Sequence, residues 1–92
     1  MTNSSIITNI YFIREKGTGN IKIGSAVDID RRLSQLQTGN SSKLEVIDVI
    51  EDVYGDVETE IHSRLAKYRL GMGEWFSPDV EDKLHLATVG LI

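Results

Sequence analysis

Ile6-Ile-Thr-Asn-Ile-Tyr-Phe-Ile13 is followed by the glycine-rich Gly17-Thr-Gly-Asn20 and then by Ile21-Lys-Ile-Gly24. The first stretch is rich in β-branched and aromatic residues, which fit a pleated surface, and reads as a strand. The tetrapeptide is a turn signal, and Ile21 to Gly24 alternates as a second strand does. Together they predict an antiparallel hairpin, and the other elements follow outward from it. Asp28 is a good N-cap and Asp30 adds a negative charge to the first turn, so a short helix is expected from about Ile29 to Gln37. Gly39 is expected to stop it as the C′ residue.

Leu44 to Ile50 reads as a third strand, an apolar run broken by Glu45 and Asp48. Val57, Ile61, Leu65 and Tyr68 recur at helical spacing and predict a helix from about Asp56 to Tyr68. Gly71-Met-Gly-Glu-Trp-Phe76 is expected to be a loop or short extended piece, and Ser77-Pro78 a helix start with proline at the first helical position. The tail from Ala87 to Ile92 is apolar, with no conformation assigned by its pattern. The expected fold is α+β, in β-β-α-β-α-α order: a small three-stranded antiparallel sheet flanked by helices.

Composition narrows the function classes. The chain has 92 residues, 40% of them hydrophobic and 26% charged, which bounds it to one globular domain over residues 1–92. The absence of cysteine removes disulfide scaffolds, cysteine-ligated zinc, thiol catalysis and haem attachment. His62 and His85 stand too far apart for a zinc finger. A formal charge of −4 argues against a basic nucleic-acid coat but leaves room for a local basic patch. No secretory signal or membrane-spanning run is visible, so an intracellular, cytoplasmic protein away from membranes is expected.

Two charges sit where amphipathic design does not ask for them. Arg32 lies about 65° from the centre of the Ile29, Leu33, Leu36 stripe, and Glu58 is offset by about the same angle on the second helix, with His62 one turn further along its flank. One account is a snorkelling arginine and a helix-start acid favoured by the macrodipole. The other is a guanidinium and a carboxylate sharing a rim where a phosphate and a metal ion meet. Periodicity does not choose between them.

The order Asn9-Ile-Tyr11, Lys22-Ile-Gly24, Arg32, Glu58 resembles the GIY-YIG nuclease superfamily. Tyr11 and Lys22 are eleven residues apart and Arg32 follows Lys22 by ten, as the family's spacing asks. Lys22 to Arg32, Glu58-Thr-Glu-Ile-His62 and Gly73-Glu-Trp-Phe76 are similar to a phage-associated, DNA-binding branch in which Lys-Ile-Gly replaces Tyr-Ile-Gly. The match spans residues 9–76. Three departures stand out. Asn9 replaces the first glycine, a change expected to act on the backbone alone. Lys22 replaces the second tyrosine, and the family's late asparagine has no counterpart.

The resemblance implies hydrolysis of a DNA phosphodiester. It assigns one Mg²⁺ or Mn²⁺ to Glu58, with retained waters, and the attacking water to Tyr11. Lys22 would supply a cation that lowers the phenol's pKa or holds a phosphate oxygen, Arg32 would bind the phosphate, and His62 would orient a metal-bound water or protonate the leaving group. Arg31, Lys43, Arg64, Lys67 and Arg69 are the candidate DNA-binding cations, whereas residues 45–60 carry seven acids and no base. Modest, salt-sensitive DNA affinity follows, to be supplemented by a homodimer or a partner protein. Two other classes stay open: a binding module of the same fold with little catalysis, and an accessory domain that binds another protein.

Overall fold

Four consecutive side chains of β1 (Ile7–Glu15), Ile10 to Ile13, are each at most 1% exposed. Neighbours on a strand point to opposite faces, so an unbroken buried run needs cover on both. Ile10 and Phe12 join Ile21 and Ile23 of β2 (Ile21–Ala26) in a core with Ile61, Leu65, Phe76, Val80 and Leu84. Tyr11 and Ile13 face the other way, among Leu44, Ile29, Leu33, Leu36 and Trp75. The sheet is thus a middle layer. α1 (Ile29–Thr38) covers one face. The other is covered by α2 (Asp56–Arg64) and by a 3₁₀ segment, Pro78–Lys83, running into α3 (Leu84–Ala87). The computed structural model describes residues 6–91, so Ile92 of the apolar tail and the first five residues of the expected domain lie outside the described residues.

The sheet is antiparallel, in the order β3-β1-β2-β4, with β3 at Leu44–Tyr54 and β4 at Trp75–Phe76. It has four strands, one more than the sequence pattern predicts. The added strand is two residues long, too short to show alternation, and pairs Ile21 with Phe76 and Lys22 with Trp75. Beyond Lys22 the pairing goes on only through the Ile23 N–H, which donates to the Glu74 carbonyl at 3.0 Å. The second helix is shorter than its periodicity implies: Leu65 closes α2 and Ala66–Tyr68 is a 3₁₀ turn. The tighter turn lets Arg69 take up an extended conformation and bridge to Phe76, which the continued helix would prevent.

Asp28 caps α1 as expected, its carboxylate accepting from the Arg31 N–H at 3.0 Å. Gly39 differs: it is the C-cap residue itself, at φ −91°, so glycine's left-handed freedom is not used. The helix stop is made by Gln37, which accepts from the Leu44 N–H at 2.8 Å and donates to the Ser42 carbonyl at 2.9 Å, fixing where β3 begins. At the far end, Arg64 donates to the carbonyls of Ala87 and Val89 at 3.2 and 2.6 Å and gives the apolar tail its place.

β3 is an edge strand, and it is irregular. Ile47 is an extra residue between the Phe12–Asp48 and Ile13–Val46 pairs, and Glu51 and Asp52 together oppose Asn9. Asp52 adopts φ 56°, a left-handed conformation that a short polar side chain tolerates. The Asp48 side chain accepts from the N–H of Val49 at 2.8 Å.

Asn9 holds the larger bulge. Its carbonyl oxygen accepts from the Asp52 N–H at 3.1 Å, while its amide donates to Ala26 and Val27 carbonyls at 3.2 and 3.0 Å. The replacement expected to act on the backbone alone therefore ties the ends of three strands through its side chain. Asn9→Ala is expected to lower stability by about 1–3 kcal/mol. At about 4–8 °C per kcal/mol in a domain of this size, the loss is readable as a fall in Tm and in the urea midpoint.

Candidate functional site

Tyr11 and Gly24 are register partners on β1 and β2. The phenol lies across Gly24. A Cβ there would fall 2.6 Å from Tyr11 Cζ and 2.9 Å from a Glu74 carboxylate oxygen, and would meet the hydroxyl itself. Glycine is required here because an aromatic ring occupies the space of its missing side chain. The phenol so reaches over β2 toward the edge where Glu74 approaches.

Three other elements bring charge to this place. α1 supplies Arg32, whose guanidinium acts on the Tyr11 hydroxyl. α2 supplies Glu58, and the approach to β4 supplies Glu74. Burial pushes the Tyr11 pKa up and the Glu74 and Glu58 carboxylates push it further, while Arg32 opposes them. The phenol is accordingly protonated at neutral pH. Lys22, the cation expected to lower its pKa, is engaged elsewhere: its ammonium lies 3.5 Å from Glu74 and 5.3 Å from the centre of the Trp75 ring. The cation on the phenol is Arg32.

Glu58 is the more crowded carboxylate. Burial raises its pKa and Glu74 adds to the rise, whereas the Ser25 hydroxyl and His62 favour the ionised form. His62 lies 3.5 Å from Glu58, edge-on to Phe76 with ring centres 5.0 Å apart. Its Nε2 is 2.8 Å from the Ile23 carbonyl, which can only accept, so Nε2 carries a proton and spends it there. That commitment works against the leaving-group role expected of His62; the ring anchors α2 to β2 instead.

The sequence reading missed Gly24's steric role, Ser25, and above all Glu74, which it placed only in a loop or short extended piece. Glu74 is the acid that touches Lys22, Glu58 and the Tyr11 site together. The candidate DNA-binding cations are not one patch. Arg64 is bound to Glu60 at 3.2 Å and to the tail carbonyls. Arg69 donates to the Gly73 and Met72 carbonyls at 2.7 and 3.1 Å, and Lys67 lies over the Tyr68 ring at 5.2 Å. Arg31 and Lys43 are exposed near the two ends of α1. A groove between β3 and α3, rimmed by Asp48, Glu51 and Asp52, contains none of the clustered residues.

Two substitutions test this arrangement. Gly24→Ala forces the phenol aside and is expected to cost about 1–3 kcal/mol, as overpacking does, read by denaturant unfolding. For Glu58, a pKa raised by folding stabilises the folded state below the unfolded value, and this contribution is lost as pH rises through the folded value. Glu58→Gln is therefore expected to melt higher than the natural chain at pH 7. The gain should vanish below about pH 4, where the unfolded carboxyl is also protonated, as melts across that range will show.

No curated protein and no solved structure matches the chain. Among the described residues no helix is long and apolar enough to cross a membrane. The model of the T5orf172 domain, a phage-associated family compatible with a DNA-related role, matches residues 8–89. That span runs from the second residue of β1 to just beyond α3 and takes in every residue of the Tyr11 cluster, and the chain belongs to the T5orf172 domain family.

Proposed function

We propose that the chain is a metal-dependent DNA endonuclease of the GIY-YIG type. The supporting observation is the meeting of Tyr11, Arg32, Glu58 and Glu74 around Gly24, brought there by four different elements. A phenol, a guanidinium and paired carboxylates gathered at one sheet edge suit a phosphodiester better than an apolar or neutral substrate.

The donor set fits a hard divalent cation. Glu58 and Glu74 present carboxylate oxygens side by side, with the Ser25 hydroxyl against Glu58. Among the described residues no cluster of three or more ligating side chains forms, and Mg²⁺ needs none, since it keeps several waters. When bound, Mg²⁺ or Mn²⁺ would supply Lewis-acid polarisation of the phosphate and offset the burial and the Glu74 repulsion that raise the Glu58 pKa.

The protein's own groups divide the remaining work. The Arg32 fork holds phosphate oxygens and offsets charge that builds on them. Tyr11, protonated, orients the attacking water rather than removing its proton. Glu74, the more exposed carboxylate, accepts that proton as the water oxygen bonds to phosphorus. The bond from phosphorus to the 3′-oxygen breaks, and solvent protonates the leaving oxygen. Lys22 steadies Glu74, and His62 steadies α2 beneath Glu58.

A second reading, a DNA-binding module with little turnover, draws on one specific observation: Lys22 is spent on Glu74 and Trp75 instead of the phenol. Nicking of supercoiled DNA with Mg²⁺ or Mn²⁺ separates the two. Tyr11→Phe and Glu58→Ala are expected to abolish nicking, and Arg32→Ala to slow it by about 10²–10³-fold, the usual cost of one lost oxyanion donor. Metal-independent nicking that is equal in all four proteins would sink the nuclease reading. DNA binding by the natural chain without any cleavage would establish the module.

A further inference from the structure

α1 is the least covered helix of the fold. It has no buried residue, and its apolar side rests on the sheet through Ile29, Leu33 and Leu36. Arg31, Ser34, Gln35 and Thr38 are exposed and fall at the spacing of a single outward stripe. All four carry hydrogen-bonding groups and none is an acid. Residues 28–43 hold three cations and two acids within a chain of net charge −4. One of those acids, Asp28, is occupied as the N-cap. The surface of β3 and α2, by contrast, carries the run of seven acids between Glu45 and Glu60.

We propose that the outward stripe of α1 is the face on which duplex DNA docks, an inference that rests on reading the Tyr11 cluster as a DNA site. Three observations carry it. Of the candidate DNA-binding cations, Arg64 and Arg69 are committed to backbone carbonyls and Lys67 lies over the Tyr68 ring, which leaves Arg31 and Lys43 as the exposed ones without a side-chain partner among the described residues. Arg31 lies in the first turn of α1 and Lys43 follows its C-terminal end, so the two bracket a helix about 15 Å long, a length comparable to the roughly 12 Å width of the major groove. Arg32, on the flank of the same helix, reaches Tyr11. A strand whose phosphate rests on Arg32 is thereby brought against α1. Arg31 and Lys43 then take flanking phosphates, and Ser34 and Gln35 face the groove. Ser and Gln read base edges by donating and accepting at once, whereas an acid there would repel the backbone.

The test is binding of a fluorescent 20-base-pair duplex in EDTA, so that cleavage does not intervene, measured by anisotropy across a salt series. Arg31→Glu and Lys43→Glu are expected to weaken binding by about tenfold and to lower the salt slope by about one each, as loss of a phosphate contact does. Lys83→Glu, exposed at the end of the 3₁₀ segment on the opposite face of the sheet, should stay within about twofold of the natural chain by the same reasoning. Titrating the natural chain with the duplex and following its amide resonances adds a readout that needs no variant, and the largest shifts should fall in residues 30–43. A loss at Lys83 equal to those at Arg31 and Lys43, or shifts centred on β3 and α3, would overturn the docking face while leaving the nuclease reading intact. A natural chain that fails to bind DNA at low salt would overturn both.

Discussion

A phenol lying in the space left by a missing side chain organises the site. Tyr11 is buried because β1 is covered on both faces, and its ring is too long to end within its own strand's footprint. It crosses β2 at Gly24, the one residue of that strand without a Cβ. The crossing brings a hydroxyl to the sheet edge, where α1 and the approach to β4 each contribute a charge. Packing requirements and the chemistry of the site therefore meet in a single register pair. A shift of β2 by one residue would set a bulky isoleucine or the Ser25 side chain beneath the ring, so strand register is also site geometry.

The cluster is assembled against electrostatic resistance. Two carboxylates approach each other, one of them largely buried, and the neighbouring Ser25, His62 and Lys22 offset only part of their repulsion. Such a cost survives in a domain of 92 residues because the rest of the structure holds the elements in place. His62 and Arg64 do this from α2, one bonded to β2 and the other to the C-terminal turn. Residues that resemble catalytic or DNA-binding groups by type are here structural by geometry. The distinction depends on which carbonyl a proton meets, and residue type does not specify that.

Much of the frame is legible in the sequence because local rules specify it. The hairpin, the Asp28 cap and the α1 stripe each follow from residue type and period, and the flank positions of Arg32 and Glu58 mark them as unusual. The illegible parts are those set by tertiary contact. β4 is too short for alternation and exists because Arg69 and β2 flank it. The helical period through Tyr68 is real, but pairing at Arg69 overrides it. Glu74 follows a glycine-flanked loop, so no helical or strand period fixes its direction. Its place beside Tyr11 is visible only once β4 is paired. Asn9 reads as a neutral replacement for glycine until the bulge it holds is present.

The irregularity of β3 reaches beyond the site. A four-stranded sheet with an eleven-residue edge would ordinarily offer a template for another strand. Here two bulges break the spacing that a partner strand would have to match, and the side chain of Asp48 occupies the amide of Val49. Any added copy would also bring its own acids against Glu51 and Asp52. The edge is closed to strand addition by its own geometry and charge. Growth through this edge is thereby disfavoured relative to a flat strand of the same length.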